Sequence, residues 1–395
     1  MEKNNIKKVG FLGVFSVASV LFSSHAGGGF ATGNQATQYF VTTGAWGIFS
    51  AILAMLLLAM TIRECIIMRN SRNLKSYKEL FETLYHPFDK LEWIFEIYFH
   101  IMVVCAVGAV IAGAASLISI STNSSYGFSV IIVGSILFVL TIFGAKLVSK
   151  VSTIMSISIL ISVFIIFFIG IKAKFSEITT IISNISITEN ENPMKAIINA
   201  FTYAGFQSVV IPTMIACGKP LENKNDTTKS MTIAFIMNSI ALVMSVIMLL
   251  GWAPEFIRDN QTTLPSLYIC KQLNINILYW FYNIALLLCL ISTGVTTIYG
   301  FVSRFSTLKV MEKIEKPIAR RMVSSILCMG ISMSVSMVGL SKIIKYGYGY
   351  CGYVGIFAII IPFLTVGYYK NKKYAQQNNS EKSKVENVAI VFGIK

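Results

Sequence analysis

The chain has 395 residues, 55% of them hydrophobic and only 13% charged, with a mean hydropathy of +0.68. A soluble protein of this length needs far more polar surface to cover its core, which excludes an array of soluble domains. A formal net charge of +15 would suggest nucleic acid in a soluble chain, but no basic face alternates with aromatics here, so no nucleic-acid partner is expected.

Apolar stretches of the roughly 20 residues that a bilayer-spanning helix needs recur from end to end. Spans are predicted at 9–40, 44–68, 93–119, 126–145, 150–171, 194–217, 230–252, 276–303, 321–341 and 346–369. Residues 1–370 are therefore expected to form one polytopic membrane domain, with 371–395 a polar cytoplasmic tail. With the N-terminus inside, 26 of the 33 Lys and Arg lie on the cytoplasmic side; Lys172, Lys174, Lys195, Arg258, Lys271, Lys342 and Lys345 lie outside. That asymmetry follows the positive-inside rule and places both termini in the cytoplasm. Trp46, Trp93, Trp252 and Trp280 all fall near span ends, where an amphipathic ring is favourable. The lipid bilayer is thus the first partner the sequence defines.

The first span opens with Lys3, Lys7 and Lys8, an apolar run to Phe22, then Ser24-His25-Ala26, which imitates a signal peptide with its cleavage site. Apolar character resumes directly after the glycines, so a retained helix is expected. Its middle is a poor continuous helix, since Gly27, Gly28 and Gly29 each cost about 1 kcal/mol relative to alanine. In hydrocarbon such an interruption survives where it lines a polar cavity. A close helix crossing through Gly29 and Gly33 is the other reading, but a crossing needs neither three glycines nor a histidine beside them.

The second span (Ala45 to Met60) and the fifth (Val151 to Gly170) carry few polar groups and suit scaffold or lipid-facing helices. Between spans two and three, Tyr77, Leu80, Phe81, Leu84 and Tyr85 recur at helical spacing, predicting a short amphipathic helix on the cytoplasmic face. The third span carries Glu96 and His100, then Gly108, Gly113, Ala114 and Ala115, small residues that suit the bundle interior. His100 there reads as a packing residue.

The sixth span is interrupted in the position that corresponds to the first, with Asn199, Thr202, Tyr203, Gly205, Gln207 and Ser208 followed by Pro212. Five spans separate the two, an odd number, so the halves at 9–171 and 194–369 would be inverted copies. A matched pair of interrupted helices is a sequence pointer to an inverted-repeat transporter and its site. N–H groups freed after the breaks, Phe30 to Thr32 and Phe206 to Ser208, would favour an anionic group. Carbonyls freed before them, Ser23 to Ala26 and Thr202 to Tyr203, would favour a cation or ammonium. A small zwitterion or amide would satisfy both ends. The expected solute-binding residues are Ser24, His25, Gly27, Gly28, Gly29, Phe30, Thr202, Tyr203, Gly205 and Gln207.

Residues 254–273 have mixed character and are expected to cover the outer mouth. In the eighth span, Ser292, Thr293 and Thr296 lie on one side of a helix. With carbonyls at Ser23 and Ala26 they would form a hard-oxygen site for a small cation such as Na+; alternatively the hydroxyls bond their own helix carbonyls. The ninth span, rich in Ser, Met and Gly, suggests packing. Seven cysteines are scattered singly and the chain has three histidines, so no metal site beyond Na+ and no cofactor is expected. His25 is the one ionisable residue at a break, which makes it a candidate carrier of a coupling proton. A neutral His25 bonded to Ser23 or Thr293 is the alternative.

The run Gly27 to Gln35 resembles the glycine-rich first-helix motif of YkvI-type bacterial membrane proteins, and Ser76 to Phe81 and Thr293 to Gly300 resemble the same family. Such proteins are similar to the amino acid–polyamine–organocation superfamily with a LeuT-like 5+5 inverted repeat. The resemblance implies an all-α bacterial plasma-membrane protein of ten helices with helices 1 and 6 broken. It also implies solute at those breaks and a cation between helices 1 and 8, where Ser292 and Thr293 would supply the hydroxyls. The family pattern ends Gly-Gln-Glu where this chain has Gly33-Asn34-Gln35, so the acid is missing, and His25 is additional. The expected function is Na+- or H+-coupled symport of a small polar solute, an amino acid or related amine, by alternating access. A non-transporting ligand sensor of the same fold is the alternative, and no enzyme constellation is present.

Overall fold

A computed structural model describes residues 10–184, 192–305, 311, 313–314 and 316–377. Lys3, Lys7, Lys8 and the tail beyond 377 lie outside the described residues. Every regular element among the described residues is helical. The spans in order are α1 in three pieces (Phe11–His25, Gly28–Ala31, Asn34–Tyr39), α2 (Trp46–Ser71), α3 (Glu92–Thr122), α4 (Tyr126–Val139, continuing as a wider turn over Leu140–Gly144) and α5 (Ala145–Ala173). The second half comprises α6 (Pro193–Gln207, a tight turn at Ser208–Val210, then Ile211–Cys217), α7 (Lys224–Arg258), α8 (Asn276–Phe305), α9 (Pro317–Ser336) and α10 (Leu340–Gln377).

Seven of these (α2, α3, α6, α7, α8, α9 and α10) are each long and apolar enough to cross a bilayer. α5 joins them when counted with Phe175–Ser183, from which it is bent by 75°. α1 and α4 contribute shorter apolar helices in the expected places, Phe11–His25 and Tyr126–Ile142. The packing partners are paired between the halves: α1 lies on α7 as α6 lies on α2, and α3 lies on α4 as α8 lies on α9. α2 packs on its counterpart α7, and α3 on its counterpart α8.

Local chemistry sets the ends. Ser76 accepts from Glu79 N–H and Glu79 Oε2 accepts from Lys75 N–H, which starts the amphipathic helix Tyr77–Tyr85 and turns Leu80, Phe81 and Leu84 inward. Asn192 caps α6 at Lys195 N–H, ahead of Pro193.

α2 serves as a scaffold on one face: Ser50, Ala51, Ala54, Leu58, Ile62 and Glu64 are buried, because its small residues let α6 and α7 approach closely, while Phe49, Ile52, Leu56 and Met60 stay exposed on the other. Of the seven helices long and apolar enough to span, α9 is the least covered by the rest of the protein. α10 continues as helix to Gln377. Lys370 Nζ donates to the carbonyls of Thr83, Leu84 and His86 and Asn371 Nδ2 to Glu64, so this extension closes the last turn of the 77–85 helix.

Candidate functional site

Glycine makes the break in α1. Ala26 leaves helical geometry after its N–H bonds Phe22 O, and Gly27 is extended at φ −75°, ψ −168°. Gly33 then adopts φ +78°, a left-handed conformation that disfavours any side chain, and a Cβ there would lie 2.5 Å from Ser266 Oγ. Gly28 lets the chain touch α8: its Cβ would lie 2.7 Å from Leu290 Cδ2 and 3.1 Å from Leu290 Cα.

Around this break lies a cavity of about 460 Å³ between α1, α3, α6, α8 and α10. Of the residues singled out in the sequence, Ser23, Ser24, His25, Gly27, Gly28, Gly29, Phe30, Gln207, Ser292, Thr293 and Thr296 line it. The lining continues through Phe99, Thr213, Gly300 and Phe301 toward the face that carries Arg69, Arg72 and Lys78. On the opposite side the path is closed. Asn34 Nδ2 reaches Thr262 O and Thr263 O at 3.0 Å and Ser341 Oγ at 2.8 Å. Ser266 N–H donates to Thr32 O, and Tyr282 Oη donates to Ala31 O at 2.6 Å. The stretch after α7, with its helix Pro265–Gln272, therefore covers that mouth as expected.

Four expected residues do not line the cavity. Gly205 faces α10, where a Cβ would lie 2.3 Å from Gly352 O, and Thr202 back-bonds Ile198 O while packing against Gly352. Both serve the α6–α10 crossing because only small groups fit there. Ala26 is buried behind the break. Tyr203 stands one layer behind the lining and organises it. Its hydroxyl lies 2.9 Å from His25 Nε2, it donates to Gln35 Oε1 at 3.3 Å, and it accepts from Gln207 Nε2 at 3.4 Å. His25 is thus held across the bundle by α6, and not by Ser23 or Thr293. Its Nδ1 is buried without a hydrogen bond, facing Asn238 of α7, whose Oδ1 is likewise unbonded and whose Nδ2 is tied to Ala234 O. No ion pair to His25 is present among the described residues.

α6 breaks later and more tightly than expected. Ser208 N–H still bonds Ala204 O, so Phe206 to Ser208 are not the donors anticipated. The groups presented there are the carbonyls of Gly205 and Phe206, and Tyr98 of α3 takes both at 2.7 and 2.9 Å. On α8, Thr296 bonds Ser292 O and Thr293 O, and Thr297 bonds Thr293 O, the self-bonding alternative. Ser292 and Thr293 still face the α1 break, with Thr293 Oγ1 3.6 Å from where a Gly27 Cβ would sit. His100 bonds Glu96 O at 2.7 Å among Phe99, Phe301 and Phe305, a packing role as expected.

Sequence reasoning missed Gln35 and Tyr348 in the lining, and Tyr98 and Asn238 behind it; Phe206 was named for its backbone and lines the cavity with its ring. Gln35 is a polar residue six positions after Gly29, and that nearness to the triple glycine was a usable signal. Tyr98 and Asn238 are single hydrogen-bonding side chains in apolar spans, visible but without a partner until the helices pack.

Among solved structures, the chain is similar to MhsT in complex with L-phenylalanine, at 13% identity and TM-score 0.58 over 90% of this chain and 89% of that one. It is similar to Mhp1 in an inward-facing conformation, at 12% identity and TM-score 0.52 over 91% of each. A manganese transporter of Eremococcus coleocola aligns at 14% identity and TM-score 0.46, over 92% of this chain and 80% of that one. No protein-family model matches the sequence, and no curated protein matches it. The likeness to MhsT and Mhp1 establishes the fold: a multi-pass, all-α membrane protein of LeuT-like architecture.

Proposed function

We propose that the protein is a cation-coupled secondary transporter that moves a small polar solute by alternating access. The observation that carries this reading is the cavity at the α1 break, which extends toward one face while Asn34, Ser266 and Tyr282 close the other. A site at mid-span with one barrier shut is what a carrier needs and a continuous pore lacks. Mhp1 is described as a nucleobase–cation-symport family transporter, which agrees with this reading. The resemblance of Gly27–Gln35 to YkvI-type proteins supports it in the same way.

In this proposal the basic face is cytoplasmic, in line with the positive-inside rule, and the protein sits in a bacterial plasma membrane. The coupled cation is Na+ near Ser23, Ser292 and Thr293, or a proton on His25. The classes expected from sequence are an amino acid or related amine and, from the two break termini, an amide; of these the uncharged lining favours the amide.

Uptake of labelled amino acids and amides into proteoliposomes, under an imposed sodium or proton gradient, tests the proposal. Accumulation driven by one gradient is expected, and that gradient identifies the cation. Specific binding with no flux under either gradient would instead make the chain a non-transporting sensor of this fold.

A further inference from the structure

Resting on the reading of the α1 cavity as a solute site, we infer that its solute is uncharged and presents a carboxamide or ureido edge beside an apolar body. Three observations carry this. First, the lining contains no Asp, Glu, Lys or Arg, and its His25 is tied to Tyr203. A solute ammonium would leave water for a site without a carboxylate, and a solute carboxylate would find no Lys or Arg, so burying either charge is costly.

Second, two carboxamides converge on one anchor. Gln207 Nε2 donates to Tyr203 Oη, and Tyr203 Oη donates to Gln35 Oε1. These bonds consume one end of each amide and leave Gln35 Nε2 as a donor and Gln207 Oε1 as an acceptor. Both side chains line the cavity at only 5% and 6% exposure. A fixed donor next to a fixed acceptor complements a group that carries its own C=O and N–H side by side. A carboxylate offers only acceptors and an ammonium only donors.

Third, the α6 carbonyls of Gly205 and Phe206 already share the one Tyr98 hydroxyl proton, which competes with an ammonium for them. Phe30, Phe206 and Tyr348 supply apolar wall for the rest of the solute. Gly29 maintains the arrangement: a Cβ there would lie 2.7 Å from Gln35 Nε2, so any side chain displaces the donor.

The test uses three molecules of one shape, benzamide, benzoate and benzamidine, with L-phenylalanine as a zwitterion bearing the same ring. Binding to the full chain in lipid nanodiscs is measured by calorimetry and saturation-transfer NMR. Benzamide is expected to bind at least about tenfold more tightly than the other three. Gln35→Met and Gln207→Met are each expected to weaken it about 3- to 10-fold, the range of one neutral hydrogen bond. Gly29→Ala, which removes no polar group, should weaken it as well. Equal or tighter binding of benzoate, benzamidine or L-phenylalanine overturns the inference. So does absence of benzamide binding at millimolar concentration, or wild-type benzamide affinity in both glutamine variants. Benzamide binding without uptake would keep the solute class and remove the transport reading, so the two failures are distinguishable.

Discussion

His25 and Tyr203 show how much one hydrogen bond decides at this site. His25 is 3% exposed, lacks an ionic partner among the described residues, and meets the one hydroxyl that also holds Gln35 and Gln207. A change of charge on that ring would be felt at the cavity through Tyr203. If His25 carries the coupling proton, His25→Ala is expected to abolish the pH dependence of proteoliposome uptake; an unchanged profile assigns His25 to packing. Tyr98 offers a cleaner energetic case. Its hydroxyl is buried and meets two carbonyls at the α6 break. Tyr98→Phe leaves the shape and strands those carbonyls, so a loss of about 1–3 kcal/mol is expected, read as a lower melting temperature in detergent.

At the scale of the element, glycines that look alike in sequence do different work. Gly205 and Gly355 are backbone contacts: each Cβ would lie 2.3 Å from a main-chain oxygen of the facing helix, which cannot move aside. Gly29 faces only the tip of a glutamine side chain. Gly205→Ala should therefore cost about 1–3 kcal/mol or more through overpacking, seen as lost folded yield or melting temperature. Gly29→Ala should fold normally and change only solute binding. Equal stability of the two variants would contradict the α6–α10 crossing described above.

At the scale of the whole molecule, a few polar bonds tie the closed mouth together among buried apolar residues such as Phe30, Leu264 and Leu340. Asn34 links α1 to the stretch before Pro265 and to Ser341 at the start of α10. Asn34→Ala should shift the protein toward opening on that side. A cysteine placed at Ser266, a residue 2% exposed, should then react faster with a membrane-impermeant maleimide than in the Asn34 background. Labelling that does not change would reduce Asn34 to a packing residue.

Much of the fold was legible in the chain because membranes impose simple rules. Apolar runs of spanning length, a triple glycine at mid-span and the lysine and arginine asymmetry are one-dimensional signals. They were enough to place the spans, the α1 break and part of its cavity lining. What they could not supply was which polar groups meet. Gly205 and Thr202 look like site residues until α10 is seen against them, and which face of α2 is scaffold is visible only once α6 and α7 pack on it. Tyr98 has no visible role until helices distant in sequence bring its partners within hydrogen-bond range, and Gln35 meets Tyr203 only in the same way. Composition and periodicity fix where a helix must stay whole or be interrupted, because the backbone's demand for hydrogen bonds is local. Whether a freed carbonyl faces a solute or is taken by a tyrosine depends on side chains far apart in the chain, and only the packed bundle decides it.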